Sequence, residues 1–362
     1  MLRLKSHTAA GAALLCACLC LADGGARAAP VANVLDRPAL QDRQAPQRVL
    51  LGLARAGERI VAVGERGLIL LSDDGGEHWR QAAVPVSVTL TAVRFATAEQ
   101  GWAIGHAGVV LHTADGGATW RRQLDGRQII RIMEASAKAA GAGSRVVAVA
   151  AQFAADGPDK PLLDLYFYDS RRGIVVGAYG LAMRTEDGGA TWLPVTSALD
   201  ANPDGLHLYA VAGGTETWLA GEQGFLARSR DGGRTFARVD TPYRGSWFTA
   251  SPLPEGGVLV AGLKGNAWRW NGRAFERCEG FAPVSVSASA SRNGTLVFAD
   301  QGGHLYLAGA DGAAVSALRL DRPLPPVAAL AVNAGGDLLA AGLRGVVRIP
   351  AKAVAVPDGV KQ

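Results

Sequence analysis

Four aspartates recur in one short sequence context, and carboxylates are common general acids and ligands of hard cations. Each is followed by a glycine and then by an aromatic residue, in the pairs Asp74 and Trp79, Asp115 and Trp120, Asp187 and Trp192, and Asp231 and Phe236. Acid–base catalysis and metal binding need several such groups at one place. Because each aspartate belongs to a separate repeat, we expect the carboxylates to lie far apart. The pattern favours a structural role, in which Asp accepts backbone N–H groups of its own turn and the aromatic residue packs between repeats.

Other sequence patterns that carry chemistry do not occur in the chain. The histidines show no H-x-x-x-H spacing and the cysteines beyond the leader no paired spacing, so no zinc site is expected. Neither a G-x-S-x-G nucleophile elbow nor a GxxxxGK[ST] phosphate loop is present. We therefore expect no catalytic residues, no metal and no cofactor.

A second repeated block predicts the elements that position these residues. A short apolar run leads into Gly-x-x-Gly, and another apolar run follows. The copies are Gly64–Gly67, Gly105–Gly108, Gly177–Gly180, Gly221–Gly224 and Gly262–Gly265, with looser copies at Ala299–Gly302 and Gly342–Gly345. They lie about 40 residues apart, the length of a four-stranded propeller blade, except for one longer gap after the second copy. Seven copies predict an all-β, seven-bladed β-propeller of four-stranded antiparallel blades, with one insertion between blades 2 and 3. An open β-solenoid is the alternative, but its coils are usually shorter.

Blade 2 illustrates how each repeat should divide into four strands. We place its strands at Leu90–Phe95, Gly101–Ile104, Val109–Thr113 and Thr119–Gln123. The Gly-x-x-Gly turn joins the second strand to the third, and we expect its glycines to adopt positive φ, which costs glycine no steric strain. Closing the blades into a ring removes the exposed strand edges of an open array.

The N-terminal residues predict export. A basic start precedes an apolar run over residues 9–22, and Ala26–Ala28 resembles a signal-peptidase site. We expect residues 1–28 to be a signal peptide and residues 29–362 to form a single propeller, exported to the periplasm as a monomer. Cys18 fits a lipoprotein box poorly, so a lipid anchor is the less favoured alternative.

Two classes of partner are disfavoured by composition. The formal net charge of +5 is mild and no basic run is interleaved with aromatic residues, so nucleic-acid binding is not expected. Beyond the leader no apolar stretch reaches transmembrane length, so we do not expect the mature chain to span a membrane.

Strand order assigns the loops to two faces of the ring. The Gly-x-x-Gly turns and the blade-to-blade connections share one face, and the insertion, about residues 124–163, joins it. We expect a short helix over Ile129–Ala140 and a loop over Ala154–Pro161. Propellers commonly bind ligands across such a mouth, and ordinary solvated turns are the alternative for each residue. The candidate partner contacts are Arg66, His106, Arg127, Arg131, Tyr179, Gln223, Lys264 and Arg344.

The chain resembles the photosystem II stability and assembly-factor family of β-propellers. The features that carry the resemblance are the export signal, the turns Gly64–Gly67 and Gly221–Gly224, and the hairpins Asp115–Trp120 and Asp187–Trp192. The resemblance covers essentially the whole mature chain, most closely residues 50–240. It implies a non-catalytic, lumenal or periplasmic, seven-bladed propeller that binds the precursor of a reaction-centre subunit through an arginine-rich patch. By this resemblance we expect a membrane-associated protein partner and a role in the assembly or stability of a membrane protein complex.

Sialidases and other glycosidases carry the same aspartate hairpins, so a sialidase-like or carbohydrate-binding propeller is the alternative function. Such enzymes need a nucleophilic Tyr with a Glu partner, an acid Asp and arginines that grip the substrate carboxylate. The candidate nucleophiles are Tyr166, Tyr168, Tyr179, Tyr209, Tyr243 and Tyr306, and none sits in a pattern that can be aligned. Sialidases also have six blades, whereas the repeats here number seven.

Overall fold

The computed structural model describes residues 33–141, 143–309, 311–320 and 322–354, so the expected signal peptide, residues 1–28, lies outside the described residues. The strands form seven antiparallel sheets, and consecutive strands pair within each sheet. Blades 1 to 3 comprise β1 (Leu50–Ala56), β2 (Arg59–Gly64), β3 (Ile69–Ser72), β4 (Arg80–Gln81), β5 (Leu90–Phe95), β6 (Gly101–Gly105), β7 (Val110–Thr113), β8 (Arg121–Leu124), β9 (Leu162–Phe167), β10 (Gly173–Gly177), β11 (Ala182–Thr185) and β12 (Leu193–Pro194).

The remaining blades continue in chain order. Blades 4 and 5 comprise β13 (Leu208–Gly213), β14 (Thr217–Gly221), β15 (Leu226–Ser229), β16 (Ala237–Arg238), β17 (Trp247–Pro252), β18 (Val258–Gly262), β19 (Ala267–Trp270) and β20 (Phe275–Arg277). Blades 6 and 7 comprise β21 (Val286–Arg292), β22 (Thr295–Asp300), β23 (Leu305–Ala308), β24 (Val315–Leu318), β25 (Val327–Val332), β26 (Leu338–Gly342) and β27 (Gly345–Ile349).

The seven blades close into a ring. The first strand of each blade contacts the first strand of the next, and β25 of blade 7 contacts β1 of blade 1. One apolar cluster joins Leu339 and Ala341 to Leu50 and Ile60 across this last junction. The predicted all-β, seven-bladed propeller is therefore confirmed, and the insertion lies between blades 2 and 3 as expected.

Blade 7 departs from the expected four strands, because its sheet contains only β25, β26 and β27 among the residues that the structure describes. After β27 the chain forms a 3₁₀ turn, Ala351–Val354, instead of a hairpin. The carbonyls of Ala351 and Val354 accept hydrogen bonds from the guanidinium of Arg292 in blade 6. The aspartate hairpin that leads into the fourth strand in blades 1 to 4 has no copy after β27, so the local signal for a fourth strand is missing.

The second strand of most blades is buried on both faces. All residues of β6, β10, β14, β18 and β26 are buried. Such a strand is an uninterrupted run of small and β-branched residues, because the neighbouring blades cover it from both sides. Hairpin aromatics complete the packing, since Trp120 shares an apolar cluster with Leu71 of blade 1 and Trp192 shares one with Trp102 of blade 2.

The two glycines of the Gly-x-x-Gly turn have different physical roles. In blades 1 to 5 the second glycine has φ between 65° and 77°, as expected. The first glycine is extended, with φ between −163° and −176°, so the expectation of positive φ is wrong for it. A Cβ atom on Gly177 would lie 2.2 Å from the carbonyl oxygen of Pro161. Glycine is required there because two backbones approach closely.

In blade 6 the turn is displaced by one residue from the predicted copy at Ala299–Gly302. Asp300 pairs with Val286 in the register at which the other blades have their first glycine, and Gly303 has φ of 84°. The Asp300 carboxylate is fully buried and accepts hydrogen bonds from the backbone of Gly302 at 2.8 Å and from the Tyr306 hydroxyl at 2.7 Å. In blade 6 the buried carboxylate of Asp300 therefore stabilises the turn, at the position where blades 1 to 5 have their first glycine.

The first helix of the insertion, α1 (Gly126–Ala140), begins three residues before the predicted start. Its N-cap is Asp125, whose carboxylate accepts a hydrogen bond from the backbone N–H of Gln128 at 3.1 Å. Ile129 and Met133 lie one turn apart and are buried, so α1 is fixed to the ring by one apolar face.

A second helix, α2 (Arg145–Asp156), was not predicted, and the expected loop over Ala154–Pro161 is wrong for its first three residues. Val146, Ala150 and Phe153 recur at helical spacing and are buried. A short helix, α3, follows blade 3 at Thr196–Ala201. In the part of the chain that the structure describes, no helix is both long and apolar enough to cross a membrane.

We expect Gly177→Ala to destabilise the ring, because the added Cβ would collide with the Pro161 carbonyl oxygen. The free energy of unfolding should fall by about 2–3 kcal/mol, measured by urea denaturation. Gly335→Ala is the matched control, since its nearest neighbour would be Asn333 Oδ1 at 3.4 Å. Equal unfolding midpoints for the two variants would contradict the close-approach explanation.

Candidate functional site

One end of the ring carries the turns that join second strands to third strands. Because strands alternate in direction within a blade, the same end carries the blade-to-blade connections, and the opposite end carries the aspartate hairpins. We call these ends the turn face and the hairpin face. The 3₁₀ turns of the turn face are Glu65–Gly67, His106–Gly108, Ala178–Gly180, Glu222–Gly224 and Leu263–Gly265.

Four predicted contact residues occupy one equivalent position of these turns. Arg66, Tyr179, Gln223 and Lys264 have φ between 51° and 57°, and their side chains are exposed. A left-handed backbone costs a residue with a Cβ about 1–2 kcal/mol, and such strain is concentrated at functional sites. The fold therefore brings these four residues to the same level of the turn face, one in each of four blades.

The other two predicted turn residues are placed differently. In blade 2 Ala107 takes the left-handed position, and the exposed His106 precedes it. Arg344 lies in the tight turn between β26 and β27 and is exposed. Among the described residues, no carboxylate lies within 4.0 Å of the charged groups of Arg66, Lys264 or Arg344. These three cations are open to an outside ligand.

The two predicted arginines of the insertion differ from each other. Arg127 donates hydrogen bonds to Asp36 at 3.3 Å and to Asp125 at 3.1 Å, and these bonds raise the pKa of its guanidinium. Arg122 of β8 also pairs with Asp36. Arg127 therefore ties α1 to the N-terminal segment, whereas Arg131 is exposed.

A row of aromatic rings on the turn face was not predicted from the sequence. The ring centroids of Tyr179 and His207 lie 4.9 Å apart, those of His207 and Tyr209 6.1 Å, and those of Tyr209 and Phe248 5.2 Å. The row crosses blades 3, 4 and 5 and ends at the central channel. His207 directly precedes β13 and Tyr209 is its second residue. Side chains two residues apart in extended backbone tend to share one side, and this spacing was the available signal.

Glu222 holds the middle of the aromatic row. Its carboxylate accepts hydrogen bonds from the backbone N–H of His207 at 2.8 Å and from the hydroxyl of Tyr209 at 3.2 Å. Burial together with the neighbouring Glu222 carboxylate raises the pKa of Tyr209 to about 12. The Tyr209 hydroxyl is therefore a hydrogen-bond donor at neutral pH and a poor nucleophile.

The central channel has a volume of about 370 Å³ and is lined by the first strands of all seven blades. Two charged residues line it, Arg94 and Asp164, and their nearest N and O atoms are 3.6 Å apart. Burial raises the pKa of Asp164, although Arg94 and a 2.9 Å hydrogen bond from the Val211 backbone oppose the shift. The channel is otherwise lined mostly by alanine, serine, threonine and aromatic residues.

Each hairpin aspartate uses its oxygens inside its own turn. Asp187 accepts hydrogen bonds from the Thr185 hydroxyl at 2.9 Å, the Thr191 N–H at 2.8 Å and the Thr191 hydroxyl at 2.6 Å. Asp74, Asp115 and Asp231 make the corresponding contacts with their own hairpins. Trp120, Trp192 and Phe236 are buried between blades, whereas Trp79 is only half-buried.

One group of three metal-ligand types occurs in the described part of the chain, namely Asp74, Glu77 and His78 in the first hairpin. All three residues are exposed, and His78 Nδ1 lies 2.7 Å from an Asp74 oxygen. Because Asp74 already accepts backbone N–H groups of its turn, the group is explained by the hairpin.

Comparison with known proteins connects this fold to a family. A family model described as photosynthesis system II assembly factor YCF48 matches residues 55–133 and 148–244. Over these segments, which make up just under half of the chain, the sequence is similar to this family of β-propellers. The resemblance predicted from the sequence is thereby confirmed. The matched segments contain most of blades 1 to 4, which are the blades with complete aspartate hairpins, and blades 5 to 7 lie outside them.

Individual members of the family are similar over part or most of the chain. The photosystem II assembly lipoprotein Ycf48 of Synechococcus sp. (strain CC9902) is 29% identical over 154 residues, which are 40% of this chain and 45% of the relative. The chain thus aligns with less than half the length of that relative.

Two solved structures share the propeller fold. YCF48 bound to a D1 peptide superposes with a TM-score of 0.61 at 16% identity, over 87% of this chain and 99% of the other. YCF48 from Cyanidioschyzon merolae superposes with a TM-score of 0.60 at 16% identity, over 85% of this chain and 97% of the other. At this identity the likeness concerns the fold.

The hairpin hydrogen bonds predict a pH-dependent contribution to stability. Burial alone would raise the pKa of Asp231, but hydrogen bonds from Thr235 and Ser229 lower it to about 2, below the ordinary value of about 3.9. The ionised group therefore stabilises the fold above about pH 4, and this contribution is lost as the pH falls towards 2.

We expect Asp231→Asn to be less stable than the unmodified chain by about 1 kcal/mol at pH 7. In urea denaturation at several pH values, the difference should shrink between about pH 4 and 2. Asp204→Asn, a change at an exposed aspartate outside the hairpins, is the control and should show no such trend. A difference for Asp231→Asn that stays constant down to pH 2 would contradict the assignment.

Proposed function

We propose that this chain is a non-catalytic scaffold that binds a membrane-associated protein through its turn face and assists assembly of a membrane protein complex. One observation carries the proposal, namely that blades 1, 3, 4 and 5 hold exposed side chains in left-handed turns at one level of the ring. Strain of this kind persists where the surrounding structure fixes a conformation that function uses.

The comparisons support the same direction. The family model describes an assembly factor, one relative is named as a photosystem II assembly lipoprotein, and one solved relative is bound to a D1 peptide. By analogy we propose a protein ligand here, and export to the periplasm follows from the expected signal peptide. The photosynthetic partner itself is not part of the proposal, because no residue of this chain reports on photosynthesis.

Charge and shape of the turn face suit a protein segment. Arg66 and Arg344 lie on adjacent blades, Lys264 lies on blade 5, and all three are free of carboxylate partners among the described residues. Between them the row from Tyr179 to Phe248 offers flat apolar area with polar edges. A partner with acidic residues around aromatic or aliphatic side chains would match this arrangement.

We expect the combined change Arg66→Glu, Lys264→Glu and Arg344→Glu to reduce partner capture by about tenfold or more, because three attractive charges become repulsive. Capture is measured by affinity purification of the mature chain from detergent-solubilised host membranes, with mass spectrometry. The control is Arg55→Glu, Arg171→Glu and Arg273→Glu, three exposed arginines at the other end of the ring. Equal capture by both triple variants would overturn the proposal.

A glycosidase is the second candidate function, and the Tyr209–Glu222 pair beside a channel that holds Asp164 favours it. Sialidase-type chemistry uses a tyrosine nucleophile, but the raised pKa of Tyr209 opposes that role. We expect no hydrolysis of a fluorogenic sialoside by the purified chain and no difference for Tyr209→Phe. Hydrolysis that is lost in Tyr209→Phe would replace the scaffold proposal with an enzyme.

A further inference from the structure

The outer edge of β27 lacks a contact that other blades make. In blades 1, 3, 4 and 5 the residue directly after the fourth strand donates its backbone N–H to a carbonyl near the start of the third strand. The four hydrogen bonds run from Ala82 to Ile69 (2.9 Å), from Val195 to Ala182 (3.0 Å), from Val239 to Leu226 (2.8 Å) and from Cys278 to Ala267 (2.9 Å). Val346 occupies the corresponding register in blade 7, since it pairs with Ala341 as Ile69 pairs with Val63. No described backbone amide outside β26 donates to the Val346 carbonyl.

The exposure of Trp79, the hairpin aromatic of blade 1, is consistent with an uncovered edge in blade 7. Trp120, Trp192 and Phe236 are 7%, 4% and 6% exposed, whereas Trp79 is only half-buried. Each of these aromatics packs against the preceding blade, and the blade that precedes Trp79 is blade 7. Trp79 is therefore more exposed because blade 7 has three strands among the residues that the structure describes.

A cavity of about 390 Å³ lies between blade 1 and the N-terminal segment. It is lined by Trp79 and Gln81 of blade 1 and by residues of the N-terminal segment, namely Gln41, Asp42, Arg43, Ala45 and Pro46. Two of its lining residues, Trp79 and Ala45, share one apolar cluster with Val346 of β27.

The described N-terminal segment does not complete blade 7, because it pairs elsewhere. Ala39 N–H donates to the carbonyl of Val84 at 3.0 Å, and Ser87 N–H donates to that of Val34 at 2.8 Å. These bonds place residues 34–39 along the connection between blades 1 and 2. The 3₁₀ turn Ala45–Gln47 contacts β27, but no described backbone hydrogen bond joins the two.

The C-terminal residues are also a poor match for a fourth strand. Val354 is buried and its carbonyl is held by Arg292. Residues 355–362 include Pro357, Asp358 and Gly359, which are residue types depleted in strands.

We propose that the edge of β27 is a second docking site, at which an extended segment of a partner protein adds as the fourth strand of blade 7. Backbone hydrogen bonds supply affinity in such strand addition, and side-chain pockets supply selectivity. The other blades indicate the chemistry of the segment. Its residue opposite Val346 has a free N–H and a small apolar side chain, as Ala82, Val195, Val239 and Cys278 do.

The site lies on blade 7, away from the turn-face contacts of blades 3 to 5, so the two proposals can fail separately. The probe is a fluorescein-labelled synthetic peptide with the sequence of residues 234–241, which contains the fourth strand of blade 4 and Val239. Two further peptides carry a single N-methyl group, on the amide of Val239 or on that of Arg238. The Val239 amide faces the third strand, whereas the Arg238 amide points away from it in the alternating ladder.

We expect saturable binding of the unmodified peptide to the mature full-length chain in fluorescence anisotropy. Methylation at Val239 should weaken binding at least tenfold, and methylation at Arg238 should leave it within about twofold. The single change Lys264→Glu, on the turn face of blade 5, should leave binding unchanged. No saturable binding, or equal loss with both methylated peptides, would overturn the proposal. Binding that arises only after deletion of residues 355–362 would also overturn it, because the chain's own tail would then be the occupant.

Discussion

Burial of the second strand on both faces is the constraint on which the rest of this structure depends. A blade covers only one side of its neighbour, so strands such as β10 and β14 need a blade on either side. Only a closed ring supplies that for every blade. The apolar cluster that joins Leu339 to Leu50 across the last junction completes the ring, and the hairpin aromatics fill the space between blades at the rim.

Packing within the closed ring also determines which side chains at its two ends remain available for binding. On the hairpin face the aspartate oxygens are used inside the turns, as the three hydrogen bonds to Asp187 illustrate. On the turn face the first glycine allows two backbones to approach closely, and the residue two positions later points outward in a left-handed conformation. The conformation is thus dictated by packing, while side chains such as Tyr179 and Lys264 remain free to vary. Binding by the turn face is consistent with this division.

The repeat spacing predicted the number of blades, and the bounds of β5 at Leu90–Phe95 were predicted without error, because local turn chemistry and strand periodicity determine both. Features that depend on distant residues were missed. Asp36 pairs with Arg127 across the fold, and the aromatic row needs strands from three blades. In blade 6 the buried Asp300 replaces a glycine, which a Gly-x-x-Gly pattern cannot reveal.

Photo-cross-linking from single positions tests the central claim, that the turn face binds the partner, most directly. A photoreactive phenylalanine analogue replaces Tyr179 on the turn face or Arg273 on the hairpin face, both exposed, and each chain is irradiated with host membranes. We predict a covalent adduct with one membrane protein from position 179 and none from position 273. Adducts from position 273 alone, or equally from both positions, would contradict it.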